Sequence, residues 1–132
     1  GGQHFIDRCY DETLALSEGW ATYFAGVVNL DPKDADAKFE YIVPRRAPVR
    51  IENIPADVCR GPTNEWRVAG FFWDLYDSHV DEPDTLALPF AQTLAAMSKA
   101  PVKGTTEFTK TLKAGLSDAD KAIVDQVWNL NF

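Results

Sequence analysis

Residues 14–28 read LALSEGWATYFAGVV. Wound at about 100° per residue, the stretch is apolar on nearly every side, the pattern of a buried helix rather than a surface one. Leu14, Leu16, Trp20, Tyr23, Phe24, Val27 and Val28 dominate one broad half, with Ser17 and Ala21 among them. The other half is built from Ala15, Glu18, Gly19, Thr22, Ala25 and Gly26, so a lone carboxylate stands among the smallest residues available. A glycine costs a helix about 1 kcal/mol relative to alanine. Two on one face imply a close approach by another element, most simply the backbone of a second helix. A carboxylate aimed into such a contact is placed as a metal ligand delivered from one of two helices would be.

Outward from this helix, Asp11 is its expected N-cap, and Glu12 suits the positive end of the dipole. The helix should fade over residues 29–32, where LDPKDAD brings turn chemistry. Residues 38–43 set Phe39, Tyr41 and Val43 against Lys38, Glu40 and Ile42, and residues 49–51 resume an extended pattern. Pro44 and Pro48 make this a short hairpin rather than a central sheet. Arg45, Arg46 and Arg50 read as its solvated charges, with an anion or substrate-carboxylate site as the alternative.

A second helix is predicted over 65–77, with Thr63 as N-cap. Trp66, Val68, Ala69, Phe72, Trp73, Leu75 and Tyr76 share a wide face, and Arg67, Gly70 and Asp74 lie opposite. It should be the main partner of the first helix. Its end is rich in acids, Asp74, Asp77, Asp81, Glu82 and Asp84, which oppose the dipole unless Arg60, Arg67 or a cation compensates. Their spacing is not that of a calcium loop, and a solvated acidic turn is the simpler reading.

A third helix is expected over 85–100, with Pro89 in its first turn and Leu94, Ala95 and Met97 inside. A fourth follows over 105–115 on Phe108 and Leu112. Ser117 caps a fifth over 118–129, with Asp120 in the capping-box position and Ile123, Val124, Val127 and Trp128 as its stripe. The fold class is therefore mainly α, a compact bundle of about five helices with a small β-hairpin, in one domain spanning 1–132.

Composition narrows the function classes. At 132 residues, 45% hydrophobic with four tryptophans, the chain can bury a sizeable core. A net charge of −7 argues against nucleic acid or an anionic membrane surface as partner. No apolar run reaches the ~18 residues of a membrane span, and no secretory leader opens the chain. Cys9 and Cys59 are the only cysteines. Spacing does not decide their state; free thiols are the favoured reading and a single disulfide the alternative.

The run GGQHFIDRCYDETLALSEGWA, with FFWDLYDS downstream, resembles zinc metallopeptidases of the thermolysin-like (gluzincin) class, most closely over residues 1–28. In that class an H-E-x-x-H helix supplies two histidine ligands and a later S/N-E-G-x-A helix supplies a glutamate. The resemblance implies the helical subdomain that follows the catalytic helix, with Glu18 as third zinc ligand. It also implies a peptide or protein substrate and a secreted or periplasmic setting. Thr22 stands where the class often has an aspartate that orients a ligating histidine. By the same likeness Asp74 and His4 are supporting residues near the metal, and His79 or Tyr76 would stabilise the developing oxyanion; read from the residues alone, His4 is a locally packed loop histidine and His79 a surface one.

One departure governs activity. The chain contains no H-E-x-x-H, and its only histidines are His4 and His79. A catalytic zinc needs three protein ligands, an open position and a general base. One carboxylate alone would hold zinc weakly, so the chain by itself is expected to be inactive. Two classes of function remain: a metallopeptidase portion, or a noncatalytic helical binding module that keeps the scaffold. The Ala15/Gly19/Thr22/Gly26 face discriminates between them. In a portion it should lie open or pair with a second copy as a homodimer; in a module the same chain should fill it.

Overall fold

The computed structural model describes residues 4–40, 48–79, 85–99 and 102–132. The elements run α1 (Glu12–Asn29), β1 (Lys38–Phe39), β2 (Val49–Arg50), α2 (Glu65–Tyr76), α3 (Phe90–Ser98), α4 (Thr105–Lys113) and α5 (Asp118–Asn131). The mainly helical class with one small antiparallel sheet is thus observed.

The central element is α2 rather than α1. Every residue from Trp66 to Leu75 is buried, including Arg67, Gly70 and Asp74 on the side expected to be polar. Each has a specific accommodation. Arg67 donates to the carbonyl of Val58 at 2.9 Å. The Asp74 carboxylate accepts from Asn131 Nδ2 at 2.6 Å. Gly70 leaves room for Ile54 and Asn131. The N-cap is Asn64, not Thr63: Asn64 Oδ1 accepts from Arg67 N at 2.7 Å, while its Nδ2 donates to the carbonyls of Ile6 and Arg8. One amide therefore caps α2 and fastens the lead-in to it, which a threonine hydroxyl could not do.

Helix α1 begins at its expected cap, Asp11 Oδ1 accepting from Leu14 N at 2.9 Å. Its small-residue face is the one that docks on α2. A Cβ at Gly19 would lie 2.6 Å from Val68 Cγ1 and 2.8 Å from the Glu65 carbonyl oxygen; one at Gly26 would lie 3.2 Å from the Trp73 ring. The close backbone approach inferred from the glycines is there, and it is made within the chain. The face expected to lie open or to receive a second copy is covered by α2 at Gly19 and Gly26. Helix α1 is also less enclosed than predicted, because Phe24 and Val28 on the large-residue half stand 48% and 65% exposed.

Three further boundaries differ. Helix α3 starts only at Phe90, with Pro89 as N-cap, because Leu88 is buried ahead of it and donates its N–H to the Leu75 carbonyl at 2.7 Å. Its inward residues are Thr93 and Ala96, while Leu94 and Ala95 face outward. Helix α4 stops at Lys113, and α5 continues to Asn131, whose side chain is needed at Asp74. Ser117 Oγ caps α5 as predicted, accepting from Asp120 N.

The hairpin pairs Lys38 with Arg50 and Phe39 with Val49. Arg50 is committed to Asp36 through a two-pronged ion pair, and Lys38 Nζ joins at 2.9 Å. The Arg50 guanidinium, then Lys38, holds the Asp36 carboxyl well below the usual carboxylate range. Arg50 is thus a structural cation, not an anion-binding one. Arg45 and Arg46, with Tyr41, Ile42 and Val43, lie outside the described residues.

Trp20, Tyr23, Phe72, Phe90 and Phe108 form an aromatic cluster joining α1, α2, α3 and α4. Tyr23 is fully buried and its hydroxyl lies 3.1 Å from Thr93 Oγ1. Burial pushes the Tyr23 phenol up to about 12. The folded chain therefore holds this proton after the unfolded chain, near pH 10, has released it. Stability should fall as pH rises from 10 through 12, by roughly 2–3 kcal/mol in all. Denaturant melts across that range should show the fall, and Tyr23→Phe should remove it.

Candidate metal centre

Glu18 stands on α1 immediately before Gly19, the residue pressed against the first turn of α2. That contact brings Glu65, the first residue of α2, alongside it. The lead-in completes the group with His4, whose Nε2 lies 2.9 Å from Glu65 Oε2. One ligand atom from each of His4, Glu18 and Glu65 falls within 4.8 Å of the others.

The lead-in is anchored firmly for a segment without regular structure. Cys9 and Cys59 form a disulfide, replacing the free thiols favoured from the sequence. Cys59 N donates to the Asp7 carbonyl at 3.0 Å and Tyr10 N to the Thr63 carbonyl at 2.9 Å. Phe5 N donates to the Tyr10 hydroxyl at 2.8 Å, and the His4 ring meets Tyr10 edge-on. With the two bonds from Asn64, these contacts hold the backbone beside His4 against the start of α2.

Electrostatically the group is short of positive charge. One imidazole stands near two carboxylates and pairs with Glu65, which is only 13% exposed. Burial is the main cause of an upward shift in the Glu65 pKa; His4 pulls it down and Glu18 pushes it up. Among the described residues the partly buried Glu18 carboxylate makes no hydrogen bond or ion pair. One nitrogen and two carboxylate oxygens form a donor set that suits a divalent ion of the zinc class. The residues present fit such an ion, provided His4 exchanges its contact with Glu65 for it.

The other sequence candidates fall elsewhere. Thr22 is one turn further along α1 and outside the donor group. Asp74 is nine residues beyond Glu65 on α2, about 13 Å along the axis. There it forms a separate acidic group with Glu52 and Asp77. Trp73 Nε1 donates to Glu52 Oε2 at 2.9 Å, and His79 N to Asp77 Oδ2 at 3.2 Å. Asp74 and Asp77 are therefore buried acceptors, not a solvated turn, and Asp74 does not support Glu18. Asp81, Glu82 and Asp84 lie outside the described residues. Arg60 and Arg67 donate to main-chain carbonyls instead of these acids. Tyr76 packs beside Tyr23 and Trp73 at this far end, and His79 N also donates to the Pro32 carbonyl. Neither reaches Glu18, so the oxyanion role assigned to them has no geometric basis.

Glu65 is the site residue that sequence reasoning missed. At the first position of a helix it looks like a dipole partner, and only the α1–α2 register makes it a neighbour of Glu18. Gly19 was the available signal, since it marks where the other helix's backbone must lie. Compared with protein-family models, curated proteins and solved structures, the chain gives no match.

Proposed function

We propose that this chain is a metallopeptidase-like helical domain in which Glu18 is the carboxylate ligand of a zinc site, not hydrolytic by itself. The observation supporting this is a carboxylate fixed beside the α1–α2 contact with no hydrogen bond of its own, facing an imidazole and a second carboxylate. Bound zinc would supply Lewis-acid polarisation of a carbonyl or of water. The chain's own part is narrower: Glu18 offers a carboxylate, His4 Nε2 stands against Glu65 Oε2, and α2 fixes the spacing of the two acids. The Cys9–Cys59 disulfide supports an oxidising, extracytoplasmic setting for the domain.

A second reading, a noncatalytic binding module on the same scaffold, is favoured by one observation. The Ala15/Gly19/Thr22/Gly26 face is met by α2 at both of its glycines, as a self-supporting module requires. Zinc titration separates the two. On the first reading Glu18→Gln should weaken zinc binding by at least about tenfold, the loss seen on removing even an outer partner of a metal ligand. Zinc affinity equal in the two proteins, or absent in both, leaves the module reading in place. Neither protein should cleave casein.

A further inference from the structure

We infer that His4, Glu18 and Glu65 form a self-contained site for one zinc-class divalent cation, needing no ligand from outside this chain. The inference rests on the proposed role of Glu18 and adds two ligands to it. The three donors come from three separate segments, the lead-in, α1 and α2, yet their ligand atoms lie within 4.8 Å of one another. Each segment is fixed independently: the lead-in by the disulfide and Asn64, α1 by the Gly19 contact, α2 by the burial of residues 66–75. Little ordering is left for a cation to impose.

The charge pattern favours an occupant. Two carboxylates close together repel each other when both are ionised. His4 contacts Glu65, and nothing among the described residues is bonded to Glu18. A dication would neutralise both acids and take the His4 imidazole nitrogen as its third donor. The imidazole selects zinc, nickel or copper over calcium and magnesium, which prefer oxygen alone. Three protein donors leave a coordination position for water, and the partial exposure of all three residues gives an ion a route in.

The test is calorimetric titration of the untagged 132-residue chain with zinc chloride and, separately, calcium chloride, using wild type, H4A, E18Q, E65Q and H79A. The circular dichroism of each variant is checked first. The expected result is one zinc per chain, with H4A, E18Q and E65Q each at least about tenfold weaker, H79A unchanged and calcium much weaker. Loss in E18Q alone would overturn the three-donor site while sparing the role of Glu18. Equal affinity in all five proteins, or no binding, would overturn both. Calcium as tight as zinc would overturn the donor class. If E65Q is misfolded, H4A and a zinc-induced rise in wild-type Tm carry the decision, since His4 lies outside the helices and its loss leaves the core intact. An H4A protein that keeps full affinity overturns the inference.

Discussion

Phe72→Ala is expected to destabilise the fold by about 3–5 kcal/mol, the range for removing a fully buried aromatic ring. Phe72 has no exposed surface and contacts four rings, with centroid distances of 5.3 Å to Trp20, 5.3 Å to Tyr23, 5.7 Å to Phe71 and 4.9 Å to Phe108. Those rings belong to α1, α2 and α4, so the vacated volume lies where three helices meet and none can close it alone. Domains of this size hold about 5–15 kcal/mol in total. The variant should be near the edge of folding, with a much lower guanidinium midpoint. Phe24→Ala, at a ring 48% exposed on the same bundle, should change the midpoint little. A Phe72→Ala loss below about 1.5 kcal/mol would mean that the cluster can collapse around the gap.

The second large effect is loss of the disulfide. Cys9 and Cys59 are 50 residues apart, and closing a loop of that length removes chain entropy worth about 4 kcal/mol from the unfolded state. The double variant Cys9→Ser/Cys59→Ser should melt on the order of 10 °C or more lower. It should also lose zinc affinity before it loses helix content, because the freed segment is the one that carries His4. Parallel melts with and without zinc read both effects. Equal zinc affinity in the double variant would show that Asn64 and Tyr10 suffice to hold the lead-in.

How much of this was legible beforehand follows from the range of each signal. Caps and glycines act within a few residues, so Asp11, Ser117 and the close contact at Gly19 could all be read directly. The roles of Arg67 and Asp74 could not, because each is satisfied by a distant partner: main-chain carbonyls in the 55–58 turn and Asn131 at the end of α5. Periodicity placed them on a polar face, and long-range hydrogen bonds allowed that face to be buried. Leu88 misled for a related reason, since in sequence an apolar residue whose main chain bonds to the end of α2 resembles a helix start. Glu18 was singled out from its small neighbours. Glu65 needed the register of two helices, which no local pattern carries.

One contact binds the beginning of the bundle to its later half. Glu12 Oε1 accepts from Thr106 N at 3.0 Å and from Thr106 Oγ1 at 2.6 Å, so an acid of α1 caps α4 from 94 positions away. Gly104 makes room for it, since a Cβ there would lie 2.7 Å from Glu12 Cβ. Nine residues are too few to hold α4 as a helix in water. Its first turn therefore depends on a contact made across 94 positions, and a change that loosens α1 should fray the start of α4 with it.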